Sequence, residues 1–177
     1  MKLKQVKNIF LIGLMGSGKT TIGKLLSKNL NKDFYDSDHV VEEKTGVKVP
    51  LIFEYEGELG FRKREESVLK DLVGHTNIVL ATGGGVILSK NNCKLLMDNG
   101  YLVYLKSSCE DLAIRMTGDK SRPLLQDGDL KATLENLFAF RNPIYTSIAD
   151  CIIETKNKRA NEITSEDLKM GLPDLYA

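Results

Sequence analysis

The 177-residue sequence has no tryptophan, three cysteines, two histidines and almost no net charge. Each shortage excludes something. Cys93, Cys109 and Cys151 are odd in number, widely spaced and without a CxxC. A disulfide framework or a cysteine zinc site is therefore not expected, and the pattern fits a reducing compartment. His39 and His75 lack ligand spacing and read as surface or core histidines. Lys and Arg total 25 against 24 Asp and Glu, a net +1. That balance gives no global electrostatic reason to expect nucleic acid or an anionic membrane as partner. No apolar run approaches the roughly 18 residues that span a bilayer. Lys2, Lys4 and Lys7 ahead of the apolar run 9–15 resemble the start of a signal peptide, but Gly16-Ser17-Gly18-Lys19-Thr20-Thr21 follows in place of a cleavage site. A cytoplasmic protein is expected.

What is there is a foldable chain, 42% apolar and 28% charged. At roughly 150 residues per domain, residues 1–177 read as one domain. Short apolar runs at 9–12, 78–81, 101–105 and 151–153 read as buried strands, with Phe34-Tyr35 the end of a fifth. Helical stretches lie between them. In 20–30, Ile22, Leu25, Leu26 and Leu30 share a face; in 58–73, Phe61, Val68, Leu69 and Leu72 do. Strands that alternate with helices, and are apolar nearly throughout, predict an α/β fold of parallel βα units covered on both faces.

Residues 13–20, Gly13-Leu14-Met15-Gly16-Ser17-Gly18-Lys19-Thr20, match G-x-x-x-x-G-K-[ST] in full, after a strand and before an amphipathic helix. The glycines let backbone N–H groups wrap phosphate oxygens, and the helix start adds its dipole. Lys19 would serve the β- and γ-phosphates, and Thr20 would offer Mg²⁺ a hydroxyl. A dinucleotide fold would place an acid near Asp36 or Asp38, but Thr21 stands where its third glycine belongs. A GTP switch is suggested by Asp71-Leu72-Val73-Gly74 and Asn157-Lys158. Against it, the first motif ends a helix, and Ala160 replaces the aspartate that reads guanine.

Four further clusters stand near element ends: Asp36-Ser37-Asp38; Gly60-Phe61-Arg62-Lys63-Arg64-Glu65; Ala81-Thr82-Gly83-Gly84-Gly85; and Arg122-Pro123-Leu124-Leu125 with Arg141-Asn142-Pro143-Ile144-Tyr145. Three side-chain-free residues after a strand imply that something approaches the backbone closely.

In this order, behind the phosphate loop, the set closely resembles the shikimate kinase family over about residues 8 to 155. The resemblance implies a three-layer αβα fold of the nucleoside-monophosphate-kinase type. A five-stranded parallel sheet would carry a substrate region at about 36–65 and a mobile lid at about 117–126. It implies transfer of phosphate from ATP, with Mg²⁺, to the 3-hydroxyl of shikimate, a step of chorismate and aromatic amino acid biosynthesis, by a monomer. By position, Gly16, Ser17, Gly18, Lys19, Thr20 and Thr21 would bind the nucleotide. Arg115 would stack on adenine, Arg122 would reach the phosphates from the lid, and Lys158 would lie in the adenine loop. Thr20 and Asp36 would serve the metal. Asp38 would contact the substrate hydroxyls, Arg62 and Arg141 the carboxylate, and Gly83, Gly84 and Gly85 the ring. Lys19, Asp38 and Arg122 would be catalytic.

The chemistry agrees with these assignments. A small carboxylate with three hydroxyls needs a guanidinium fork and a carboxylate acceptor. Phosphoryl transfer needs positioning and charge compensation more than covalent chemistry. A gluconate kinase or a nucleotide kinase of the same fold remains the rival. The tail 164–177 reads as a closing helix at 165–170 stopped by Gly171 and Pro173, and Cys151 as a core residue.

Overall fold

The computed structural model describes residues 8–117 and 129–172. Five parallel strands form one sheet: β1 (Ile9–Ile12), β2 (Asp33–Asp36), β3 (Ile78–Ala81), β4 (Tyr101–Lys106) and β5 (Cys151–Glu154). Their order is β2-β3-β1-β4-β5. The three central strands are buried almost throughout, whereas β2 and β5 lie at the edges and expose residues. Burial on both faces explains why the central strands read as continuous apolar runs.

Helices cover both faces: α1 (Lys19–Leu30), α2 (Ser37–Thr45), α3 (Val49–Val73), α4 (Lys90–Asn99), α5 (Cys109–Met116) and α6 (Leu130–Ile148). A helical run closes the described chain: α7 (Ala160–Glu162), a π-helical turn (Ile163–Asp167) and α8 (Leu168–Gly171). Two cores result. Phe10, Ile12, Leu69, Leu80, Leu96, Tyr104 and Tyr145 belong to the larger, and Ile9, Leu11, Leu26, Val79, Val103 and Leu168 to the smaller on the opposite face.

The helices begin where short polar side chains can cap free N–H groups. Asp36 accepts from the Asp38 and His39 amides, Ser89 from Asn92, Ser108 from Asp111 and Asp129 from Lys131 and Ala132. Register sets the rest. Leu11 lies opposite Ala81 and Val103, and Asp36 opposite Ala81. The carboxyl ends of the strands are therefore level, and the chain reverses direction about β1, where open α/β sheets hold their ligands.

Several sequence expectations change. The closing helix starts at Ala160 rather than 165, because Glu162 accepts from the Arg159 amide and caps it there. Its end at Gly171 agrees, and Pro173 lies outside the described residues. Cys151 is only half-buried, since β5 is an edge strand. Helix α3 begins nine residues before 58, and it is broken at Gly57, whose φ of 69° and ψ of −178° are not helical. Residues 117–126, expected as a lid, lie outside the described residues except for Thr117, and so does Arg122.

Candidate active site

The phosphate loop leaves β1 between β3 and β4. Gly13, Gly16 and Gly18 take positive φ of 147°, 78° and 94°, which side chains rarely adopt. Lys19, buried at the start of α1, turns its Nζ onto the Gly13 and Leu14 carbonyls at 2.8 and 2.9 Å. The exposed Thr20 donates through Oγ1 to Asp36 Oδ2 at 2.6 Å. The other oxygen of Asp36 is occupied as the cap of α2. A hydroxyl and a carboxylate are thus fixed side by side at the mouth of the loop. These are the hard oxygen donors that Mg²⁺ takes, so the residues fit that ion.

A cavity of about 500 Å³ opens over this loop. Gly16, Ser17, Gly18, Lys19, Thr20, Thr21, Arg115 and Lys158 all line it, as the sequence suggests. Arg115 donates to the Gly16 carbonyl at 3.2 Å. Lys158 Nζ sits 2.7 Å from both Asp167 carboxylate oxygens. Asp167 belongs to the π-helical turn, which also sends Ile163 to the cavity wall.

A second cavity, of about 860 Å³, lies between α2, α3 and the loop after β3. Asp38, Arg62, Arg141 and residues 83–85 line it, together with Phe53, Phe61 and Glu65. The two cavities share Met15, Thr20, Asp36, Asp38 and Gly84. Asp38 therefore stands on the boundary between a phosphate-binding loop and a pocket that holds two arginines.

The glycine triplet is crowded by the protein's own charged side chains. A Cβ at Gly83 would lie 2.6 Å from Glu65 Oε1 and 2.8 Å from Asp38 Oδ1. One at Gly85 would fall within the Arg62 guanidinium, and one at Gly84 would lie 3.6 Å from Arg141 Nη1. The sequence implies a close approach here, and four ionisable residues of the fold make it. Ser37 adds a tie, its Oγ accepting from the Gly83 amide at 2.9 Å. Tyr145 donates to the Gly84 carbonyl and stacks on Tyr104, which fixes α6 against the triplet. Burial pushes the Tyr145 hydroxyl well above its ordinary range, so it stays a donor.

Arg141 is 3% exposed, and its Nε and Nη1 have no hydrogen-bond partner among the described residues. Buried guanidinium N–H groups without acceptors are costly, so this side chain is set for an anionic ligand. Arg62 donates to Glu65 at 2.8 Å and to Glu58 at 3.1 Å, and its Nε lacks a partner among the described residues.

Sequence reasoning assigned no role to Glu65, yet it is 1% exposed at the centre of this group. Burial raises its carboxyl above the ordinary range; Arg62 opposes the rise and Asp38 adds to it. A signal was present. Phe61, Glu65, Val68, Leu69 and Leu72 fall at helical spacing, so the glutamate interrupts an apolar stripe. The remaining candidates resolve as surface features. His39 pairs with Glu43, the His75 ring lies tilted against Tyr35, and Asp71 accepts from Lys44. Among the described residues no helix is long and apolar enough to cross a membrane.

Comparison with known proteins gives the family and the fold. The shikimate kinase family profile matches residues 15–170. A shikimate kinase of Thiobacillus denitrificans is 50% identical over 157 residues, 89% of this chain and 86% of that protein. One from Nitrosospira multiformis is 48% identical over 165 residues, 93% of this chain and 84% of that protein. The structure of the Acinetobacter baumannii shikimate kinase in complex with shikimate superposes with a TM-score of 0.93 at 42% identity, covering 96% of this chain and 95% of the other. A gluconokinase from Sinorhizobium meliloti superposes at 0.55 with 14% identity over 96% and 93%, a likeness of fold alone.

Proposed function

The chain belongs to the shikimate kinase family, and from that premise we propose how its residues divide the work. The enzyme transfers a phosphoryl group from ATP, with Mg²⁺, to the 3-hydroxyl of shikimate, and releases shikimate 3-phosphate and ADP. The step belongs to chorismate and aromatic amino acid biosynthesis. The larger cavity takes shikimate. Arg62 and Arg141 hold its carboxylate, and residues 83–85 offer backbone to its ring. Asp38 aligns the 3-hydroxyl and accepts its hydrogen bond from the boundary of the two cavities.

The smaller cavity takes the nucleotide. The loop amides of Gly16, Ser17 and Gly18 and the side chains of Thr20 and Thr21 face its phosphates, and Lys19 offsets charge on the β- and γ-phosphates. Thr20 and Asp36 would hold Mg²⁺, which when bound offsets further charge on the phosphates. Arg115 and Lys158 serve the adenine end. Arg122 adds a cation at the phosphates, a role carried by the family resemblance alone. The whole chain acts as one domain, a monomer in the cytoplasm.

The observation that carries this reading is the buried Arg141, whose Nε and Nη1 have no partner among the described residues and which shares a cavity with Arg62 and with the boundary carboxylate Asp38. The test is a coupled assay of ADP formation with shikimate, gluconate or AMP as acceptor and ATP or GTP as donor. Turnover with shikimate and ATP alone is expected. Equal turnover with gluconate would remove the assignment of the larger cavity.

A further inference from the structure

Helix α3 places residues in the acceptor cavity that one straight helix could not. Phe53 and Arg62 both line that cavity. Nine residues at 3.6 per turn amount to about 900°, which puts them on opposite faces of an unbroken helix. Phe53 and Phe61 are eight residues apart, a rise of about 12 Å in a straight helix. Their ring centroids are 4.8 Å apart. The chain therefore turns sharply between them.

Three residues share that turn. Gly57 sits at φ 69° and ψ −178°, a region open in practice only to glycine. A Cβ added there would meet nothing within 4 Å, so conformation and not space demands glycine. Three residues on, Gly60 lacks a side chain for the opposite reason: its Cβ would collide with that of Glu56. Glu56 then reaches across the break to Arg64, with Nε and Nη2 donating to the two carboxylate oxygens at 2.8 and 2.6 Å.

We propose that Gly57 is a positioning residue: its backbone break, braced by Gly60 and the Glu56–Arg64 pair, brings Arg62 and Glu65 into the cavity that the first half of α3 lines with Phe53. The proposal rests on the reading of Arg62 as a ligand of the substrate carboxylate. Gly57 touches no substrate in this account. A side chain there drives the backbone toward an ordinary helix, which rotates Arg62 away from residues 83–85. The nucleotide loop shares no element with this turn.

The test compares Gly57→Ala, Arg62→Ala and the core variant Leu96→Val with the wild-type enzyme, by thermal unfolding and by kinetics with each substrate varied. Gly57→Ala should raise KM for shikimate about tenfold or more, in the manner of Arg62→Ala. Its KM for ATP should stay within about twofold. Leu96→Val should lower Tm and leave both constants in place, which shows that lost stability alone does not move KM. A folded Gly57→Ala with an unchanged KM for shikimate would overturn the proposal, and so would a parallel rise in both constants. If Arg62→Ala also leaves KM for shikimate unchanged, the reading of the cavity falls first and takes the proposal with it. If Gly57→Ala does not fold, Glu56→Ala, which keeps the glycine and removes the brace to Arg64, enters the same assay. Failure of both to fold would make Gly57 structural and overturn the proposal.

Discussion

The two cavities solve recognition by different means. The nucleotide side takes its largest continuous share from one run, residues 15–22, and much of that is backbone shaped by the positive-φ glycines of the loop. The acceptor side collects Asp38, Arg62, Glu65 and Arg141 from three helices and packs them around a glycine triplet. In the proposed assignment, backbone amides take what all phosphates share, and side-chain charges assembled from distant segments take one particular small acid. The first kind of site is tolerant and local; the second is specific and depends on the whole fold.

The contrast breaks most severely at Lys19, whose charge the loop backbone cannot supply. Lys19→Ala should lower turnover on the order of a hundredfold, as loss of a preorganised charge contact does. Circular dichroism should stay that of the wild type. Retention of more than about a tenth of the rate would remove Lys19 from the chemistry.

Next come the two arginines. Arg62→Ala or Arg141→Ala should weaken shikimate binding about ten- to a hundredfold, or about 1.5–3 kcal/mol for one charge-assisted contact. Binding of ATP should hardly change. Titration calorimetry with each ligand separately checks the split.

Glu65 tests the electrostatics of the acceptor side. Burial raises its carboxyl in the folded state above the unfolded value near 4.5. The folded enzyme then keeps a proton that the unfolded chain gives up. Its contribution to stability is full below the unfolded pKa and falls as pH rises through the folded one. Glu65→Gln should remove that fall. In thermal unfolding between about pH 4 and 8, the wild type should lose Tm relative to the variant as pH rises. Parallel curves would mean that Glu65 does not titrate differently on folding.

The smallest effect is expected at the far end of the nucleotide cavity. The ion pair Lys158–Asp167 is partly exposed, with side chains 39% and 25% accessible. Asp167→Asn should raise KM for ATP by no more than about fivefold, since pairs of this kind contribute about 1 kcal/mol or less. A larger rise would mean that the pair does more for the nucleotide than a partly exposed ion pair can.

How far the two sides could be read from sequence follows the same division. The phosphate loop was legible because eight contiguous residues carry it, and four of the strands because both of their faces, or most of them, are apolar. Arg62, Arg141 and Asp38 stood out only through resemblance, for nothing local distinguishes them from solvated charges. Glu65 hid in a charged run although its neighbours at helical spacing are buried. The broken α3 was not legible at all. Periodicity assumes a straight helix, and a single glycine resets the phase so that Phe53 and Arg62 line one cavity. The glycine triplet was read correctly as a place of close approach. What approaches is only visible once α3 and α6 are folded against it.

The ammonium of Lys19, bonded to the Gly13 and Leu14 carbonyls, also bears on how the loop keeps its shape. A buried cation without acceptors would be costly. Here the loop supplies its own oxygens, so one side chain from the start of α1 ties the two ends of the loop together. The cradle is held open by the protein's own contacts and does not have to be assembled around its ligand.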